Sequence, residues 1–324
     1  MLGFVVKHPG LFSTFQDEGR LGYQSEGMPI SGAMDQESMI LANKLVGKEQ
    51  GAVLEMTFMG SSLEFSKNMA IAITGAHMQP MVNNKDIAMY QTVFVYPGDI
   101  LTFKGLLSGF RTYIAFSDTL ELDEVYNSKS TYVKIGAGGY KGRKLEKNDE
   151  ICVISNTLPL FAQIKKIHRD DEIRVLLGYE FEQFKMPESI FNHVYKVSNE
   201  VDRMGMRLEG EKLEHIESAD IISSPIIPGA IQVPKSGQPM ILLRDAGTIG
   251  GYTRIGTVIS CDLDRLAQKK PGDSIRFKAV NLEEAVQIKK KWLKTLRNIN
   301  LSDDRRHFSV VVNGVSYEVY VEEK

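Results

Sequence analysis

The chain has 324 residues, 43% hydrophobic and 25% charged, with a formal net charge of −2. That composition is ordinary for a globular protein and leaves room for two domains or one large β-rich one. It offers no basic field for nucleic acid or for an anionic membrane surface.

No run of about 18 apolar residues exists to form a transmembrane helix. The opening MLGFVVKHPGLFSTFQDEGR has no basic flank of the kind a signal peptide carries. The two cysteines, Cys152 and Cys261, sit apart in apolar, strand-like stretches, and no CxxC or Cys/His cluster is present. A reducing, cytoplasmic setting is expected.

In chain order, the first unusual stretch is TFQDEGRLGYQSEGMPISGAMD (14–35). It sets Gln16, Asp17, Arg20, Ser31 and Asp35 among glycines, which let backbone approach a ligand closely. Two readings stay open: a polar binding site, or a pair of turns tied by an Asp17–Arg20 ion pair with Asp35 only capping a helix. That helix is predicted from Asp35 to about Val46, with Gly47 as its stop. GSS (60–62) reads as a turn within MTFMGSSLEF rather than as a serine nucleophile.

Strands are predicted from short apolar runs: 69–74, 92–96, 111–116, 173–177 and 240–243. PGDILTFK (97–104) recurs as PGDSIRFK (271–278), with a weaker version at KNDEICV (147–153). A repeated turn-plus-strand suggests two related β-units, with chance similarity of turn chemistry as the competing reading. The boundary is placed near 155–170, giving units 1–160 and 161–324. GAGGYKGR (136–143) reads as a mobile glycine-rich loop.

VDRMGMRLEG (201–210) poses a sharper question. In a strand, Arg203, Gly205 and Arg207 share one face and Met204, Met206 and Leu208 the other. The arginines would stand roughly 13 Å apart on the binding face, with Asp202 at the turn. Guanidinium groups so placed suit a carboxylate or phosphate. A solvent-facing strand with cross-strand Arg–Glu pairs is the alternative.

PGAIQVPKSGQPMILLRDAGTIGGYTRIG (228–256) contains Gln232 inside an apolar run and Asp245 directly after the strand MILLR. Thr248, Gly250, Gly251 and Tyr252 are expected to form a loop with free backbone donors. A last helix is predicted from near Glu283, with Ala285, Ile288, Trp292, Leu296 and Ile299 on its apolar face. Its KKK run (289–291) reads as a solvated face. FSVVVNGVSYEVYVEE is expected to form a hairpin turning at Asn313–Gly314 and pairing with a sheet edge.

GxxxxGK[ST], strand-borne GxGxxG, HExxH and GxSxG are all absent. The six histidines are scattered, so neither a metal site nor a histidine base is suggested.

TFQDEGRLGYQSEGMPISGAMD, LEMTFMGSSLEF, DRMGMRLEG, GAIQVPKSGQPMILLRDAGTIGGY and DLDRLAQKKPGD together resemble the family of the C-type subunit of 5-oxoprolinase. That family is also called the KipA type, biotin-dependent carboxyltransferase or allophanate hydrolase subunit 2. The resemblance runs colinearly from about residue 3 to 280. SSPIIPGAIQVP departs from the usual form, with Pro225 where Glu-Gly ordinarily follows the serine.

The resemblance implies a mainly β fold of two cyclophilin-like β-barrel units in one chain, with few short helices and a C-terminal helix and hairpin. It implies ATP-dependent opening of the lactam of 5-oxo-L-proline (pyroglutamate) to L-glutamate. The partners would be the B-type (KipI-type) and A-type (LamB/YcsF-type) components of the same 5-oxoprolinase. ATP, with Mg2+, would bind at a site shared with one of those partners.

Phosphorylating the lactam carbonyl would create a better electrophile, and arginines would stabilise the phosphate charge. On that reading Asp35 and Asp245 are the candidate catalytic residues. Arg203, Arg207, Gln232, Gln238, Thr248, Gly251, Tyr252, Gln16 and Arg20 are the candidate substrate contacts. Two other functions are implied by the same family: a regulatory protein that sequesters a KipI-type inhibitor of a histidine kinase, and a carboxyltransferase component of a urea carboxylase-like system. The chain has no Met-Lys-Met biotin attachment site, so covalently attached biotin is not expected.

Overall fold

A computed structural model describes residues 1–165, 171–303, 306–312 and 315–321. The first twelve strands are β1 (Leu2–His8), β2 (Phe12–Gln16), β3 (Val53–Thr57), β4 (Ser62–Phe65), β5 (Met69–His77), β6 (Pro80–Val82), β7 (Lys85–Asp86), β8 (Thr92–Val95), β9 (Ile100–Phe103), β10 (Ser108–Phe116), β11 (Thr119–Leu120) and β12 (Glu150–Ile154). They form a seven-stranded sheet, β11-β12-β1-β4-β9-β6-β7, and a five-stranded sheet, β2-β3-β10-β5-β8. Alternation on β1 and β4 turns Phe4, Val6, Leu63 and Phe65 inward, where they meet Phe15, Leu54, Ile71 and Phe116 of the second sheet in one core. Phe4 and Phe116 stack with ring centroids 4.8 Å apart and so join the two layers.

MAIAIT does not alternate because β5 is covered on both faces. One face meets the facing sheet. The other meets α1 (Gln36–Leu45), whose Leu41, Ala42 and Leu45 pack with Ala72, Tyr113 and Ala115. A strand buried on both sides is expected to read as a continuous apolar run.

The next nine strands are β13 (Glu172–Leu177), β14 (Tyr195–Val201), β15 (Gly205–Glu209), β16 (Asp220–Pro225), β17 (Ala230–Gln232), β18 (Met240–Leu242), β19 (Ile249–Tyr252), β20 (Arg254–Val258) and β21 (Ser274–Ala279). Seven of them close a barrel in the order β13-β20-β17-β18-β15-β14-β21. Its interior is filled by Val175, Val197, Met206, Leu208, Ile231, Ile241, Ile255 and Ile275, and also by Met34 from the loop before α1. The remaining two strands, β16 and β19, pair only with each other and form an arm beside the barrel.

Short helices α2 (Ser189–Asn192) and α3 (Leu263–Leu266) precede α4 (Leu282–Arg297). Asn281 and Glu284 close a capping box at the start of α4, and Ala285, Trp292 and Leu296 lie buried against the α1 cluster. The final strands, β22 (Arg306–Val312) and β23 (Val315–Val321), form a two-stranded sheet of their own. This corrects the expectation that the hairpin extends another sheet. Asn313 and Gly314 lie outside the described residues.

The sequence echo is a turn module. Asp99 N–H donates to Tyr96 O at 3.0 Å, and Tyr96 N–H donates back to Asp99 Oδ2 at 2.8 Å. Asp273 repeats both bonds with Lys270, and Asp149 repeats both with Glu146. Each copy feeds a strand: β9, β21 and β12. Two of the three lie in the N-terminal sheets and one in the barrel.

Neither cysteine forms a disulfide among the described residues; Cys261 is buried and Cys152 exposed. Among the described residues, no helix is long and apolar enough to cross a membrane, and no group of three His, Cys, Asp or Glu is placed to hold a metal ion.

Candidate functional site

Arg203 is the hub where the sheets and the barrel meet. β15 begins only at Gly205, so Arg203 sits in the β14–β15 hairpin turn, not in the strand. Asp202 shapes that turn by accepting Met204 N–H at 2.6 Å and Gly205 N–H at 3.0 Å.

From the turn, the Arg203 side chain runs inward and is only 6% exposed. Nε donates to Asp245 Oδ2 at 2.8 Å, and Nη1 donates to Glu55 Oε1 on β3. Nη2 donates to Gly32 O at 2.7 Å, to Asp245 Oδ1 at 3.1 Å and to Gln16 Oε1 at 3.2 Å. Burial opposes the guanidinium charge, but Asp245 and Glu55 outweigh it and raise the pKa above the usual range. Arg203 is therefore committed to protein acceptors and holds the two halves of the molecule in register.

A cavity of about 380 Å3 opens beside this hub, lined by Arg203, Asp245, Arg111, Tyr132, Lys134 and Asp202 among others. Arg111 is a buried cation of this lining. It is 1% exposed and donates Nη1–H to Ala267 O at 2.8 Å, and its Nε has no partner among the described residues. Burial lowers its pKa, and Glu55 and Tyr113 counter that shift. A buried guanidinium that lines a cavity and keeps an unspent donor can bind an anionic group. Burial, with help from Asp245, also raises the Tyr132 phenol, which stays protonated and able to donate.

Gln268 fixes Arg111 from behind. Its Oε1 accepts the amides of Phe110 and Arg111 at 3.0 and 3.1 Å, and its Nε2 donates to Arg111 O at 3.0 Å. The same Nε2 donates to Asp35 Oδ2 at 2.7 Å. Asp35 also caps α1 by accepting Ser38 N–H at 2.9 Å, and its own amide donates to Tyr113 Oη at 2.8 Å. Asp35 thus supports the cavity through Gln268 and does not line it.

The other expected contacts are distributed. Gln16 and Asp245 join Arg203 at the hub. Arg20 is buried and donates to Val125 O at 3.1 Å and to Ser130 O, while its Nη1 has no partner among the described residues. The anticipated Asp17–Arg20 ion pair does not form. Asp17 instead accepts Ser128 Oγ–H, Ser130 Oγ–H and the amides of Gly19 and Lys129. The glycine-rich loop 136–143 packs onto Arg20 and Ser130 at Gly138.

Arg207 and Arg203 part company. Arg207 lies in β15, is partly exposed, and has Nε 2.8 Å from Glu200 Oε2. The N–H is misaligned for a hydrogen bond, so the contact is ionic only. Arg207 therefore realises the cross-strand Arg–Glu reading of 201–210. It borders a second cavity, of about 530 Å3, together with Gln232, Met240 and Ile249. Gln238 is turned away from both cavities, exchanging two hydrogen bonds with the Gly210 backbone at 3.0 and 3.1 Å.

The expected open loop at 248–252 is corrected. Gly250, Gly251 and Tyr252 belong to β19, laddered to β16, and Thr248 O accepts Ile226 N–H at 3.0 Å.

Glu55, Arg111 and Gln268 belong to this candidate site, and reading along the chain does not single them out. For Glu55 a signal exists: a single carboxylate in the apolar run VLEM, where a buried charge demands a partner. For Gln268, in a polar run between helix and turn, nothing local marks a side chain that reaches another sheet.

Residues 26–279 match the family described as carboxyltransferase domain, subdomain A and B. The C-type subunit of 5-oxoprolinase from Escherichia coli is 33% identical over 285 residues, covering 86% of this chain and 92% of that protein. Its counterpart from Haemophilus influenzae is 33% identical over 294 residues, covering 89% of this chain and 95% of that protein. Among solved structures, the K. lactis urea amidolyase superposes with a TM-score of 0.84 at 29% identity, over 93% of this chain and 20% of that one. The chain belongs to the carboxyltransferase domain, subdomain A and B family, in company with the C-type subunits of 5-oxoprolinase.

Proposed function

We propose that the chain is the C-type component of a multi-subunit, ATP-dependent 5-oxoprolinase, opening 5-oxo-L-proline to L-glutamate together with A-type and B-type components. The observation that carries this reading is the cavity at Arg111. Its buried, unpartnered guanidinium nitrogen suits the carboxylate of 5-oxoproline. Tyr132 and Asp245 border the same space and offer a donor and an acceptor to a lactam. The naming of the relatives at 33% identity supports the same substrate class.

In this reading Arg111 binds, Asp245 orients the reacting group, and Arg203 with Gln16 positions Asp245. Asp35 positions Arg111 through Gln268. Arg20 lies behind the hub as support. Gln238, Thr248, Gly251 and Tyr252 take no part in the cavity.

In this reading ATP binds at a site shared with a partner component. The cavity sets Arg111 and Lys134 against Asp202 and Asp245, and the glycine-rich loop is folded onto Arg20 rather than open to a ligand. ATP with Mg2+ is assigned to the complex, with residues from a partner component.

The test is reconstitution with A-type and B-type components, following ATP-dependent glutamate release. Arg111→Met should raise KM for 5-oxo-L-proline about tenfold or more, as expected for losing a charge-assisted hydrogen bond. An unchanged KM would remove Arg111 from substrate binding. Absence of turnover with assembly intact would favour the regulatory reading. Carboxylation that depends on added carboxybiotin would favour the carboxyltransferase reading, which the urea amidolyase likeness keeps in play.

A further inference from the structure

The barrel carries a second cavity, on its outer face, and its chemistry differs from that of the first. In the ladder β15-β18-β17, Arg207 stands opposite Met240, and Met240 stands opposite Gln232. Register partners on neighbouring strands point to the same side of a sheet. Met206, Ile241 and Ile231, each one residue away, fill the barrel interior. The row Arg207–Met240–Gln232 therefore faces outward.

An outward glutamine is ordinarily wet, yet Gln232 is only 4% exposed. The β16–β19 arm roofs it. A Cβ on Gly250 would lie 2.3 Å from Gln232 Nε2, so any side chain at residue 250 would push the Gln232 amide from its present place. Despite that closeness, Gln232 Nε2 has no hydrogen-bond partner among the described residues. A buried amide donor left unpaired is costly, and one that lines a cavity is poised for an acceptor from outside.

The rest of the lining defines what fits. Ile226, Met240, Leu242 and Ala246 form a small apolar cluster under the space, and Ile249 of the arm borders it. Arg207 stands at the other end of the row, two strand spacings or about 10 Å from Gln232 between Cα atoms. Its ionic partner, Glu200, is 73% exposed and free to swing into water. The two cavities share Val201, Asp202 and Met204, so the hairpin turn is the wall between them.

We infer that this space is a second ligand site, for a small organic acid about the size of an amino acid. Its carboxylate meets Arg207, its carbonyl or second carboxylate accepts from Gln232 Nε2, and its apolar body rests on Met240. The inference does not depend on what the Arg111 cavity binds.

The experiment uses the full-length protein with 13C-methyl-labelled methionine and isoleucine, titrated with N-acetyl-L-alanine and with glutarate as probes. Saturable shifts are expected at the methyls of Met240, Ile226 and Ile249 with at least one probe. Gln232→Leu and Arg207→Gln should each weaken that binding about tenfold or more, from loss of one charge-assisted or otherwise unmade hydrogen bond. Arg111→Met should leave it unchanged. Thermal unfolding midpoints of the variants, matched to the parent, establish that they are folded. Gly250→Ala supplies an independent variant, since its methyl displaces the Gln232 amide without removing it, and it should also weaken binding. Absence of saturable shifts with both probes overturns the site. So does binding that survives equally in Gln232→Leu and Arg207→Gln, or binding lost only in Arg111→Met.

Discussion

Arg203 and Glu55 are separated by 148 positions and belong to different β-units, yet one guanidinium nitrogen of Arg203 donates to the Glu55 carboxylate at a point that is 6% exposed on one side and 1% on the other. Glu55 is held from the far side as well, since its Oε2 accepts Met34 N–H at 2.8 Å. Asp245 completes a buried cluster in which Arg203 is the cation hydrogen-bonded to both carboxylates. Taking such charges out of water is repaid only when every partner is present.

The first prediction follows from that balance. Arg203→Ala removes the cation hydrogen-bonded to both Glu55 and Asp245 while leaving them buried, and should cost about 3–5 kcal/mol. Urea unfolding of the parent and variant measures it. Combining Arg203→Met with Glu55→Gln should recover part of the loss, because one uncompensated charge is gone. A single substitution that costs less than about 1 kcal/mol would show that the hub does not hold the halves together.

A second prediction separates two duties of Asp35. Its carboxylate caps α1 and also anchors Gln268, which grips the backbone at Arg111. Asn is as good a cap as Asp, so Asp35→Asn should keep helix stability while setting an amide against the Gln268 amide. Asp35→Ala loses both and should cost about 1 kcal/mol more in stability. In the reconstituted enzyme both variants should raise KM for 5-oxo-L-proline. If KM stays at the parental value in both, Asp35 is a helix cap and nothing else.

These two networks mark where reading along the chain stops being informative. The α1 cap at Asp35, the α4 apolar face and the strand expected at 69–74 follow from local chemistry, and the structure has each there, the strand running on to His77. The stretch 201–210 is half legible. Met206 and Leu208 face the core as parity requires, but the Asp202 turn keeps Arg203 out of the strand, so the two arginines serve different cavities. Nothing within ten residues of Arg203 specifies Glu55, because that contact depends on how two separately folded sheets meet. Gln232 stands out in the sequence as a polar residue in an apolar run. What buries it is an arm folding back over it, with Gly250 at the crossing.

Lys48 gives a prediction in pH. Its Nζ donates to Asp118 O at 2.6 Å beside a cavity of about 520 Å3. Burial lowers its pKa to about 8, with Asp118 opposing and Lys129 adding to the shift. The folded pKa lies below that of a free lysine, so the fold disfavours the ammonium form. The resulting penalty is present below pH 8 and disappears as pH rises from about 8 toward 10.5. Competitive acetylation followed by peptide mass analysis should give Lys48 a labelling midpoint near 8, well below that of exposed lysines. Lys48→Met should flatten the rise in stability across the same window. A Lys48 midpoint near that of the exposed lysines would contradict the shift.

The repeated turn supplies the last prediction. Gly98 and Gly272 occupy the same place in their modules, with φ of +85° and +88°, and a Cβ on either would meet nothing within 4 Å. An alanine there suffers no clash, so the cost of substitution isolates backbone conformation. Left-handed backbone costs an L-residue about 1–2 kcal/mol, and Gly98→Ala and Gly272→Ala should each lose that amount. They serve different strands, β9 and β21, in different sheets, so the double variant should show the sum of the two losses. Chemical denaturation of the three variants decides the matter. A large excess over the sum would mean that the N-terminal sheets and the barrel are energetically coupled through these turns. Equal, additive losses would mean that each module does the same local work: the Asp carboxylate ties down the amide three residues before it, glycine supplies the left-handed step, and the chain enters its strand in register.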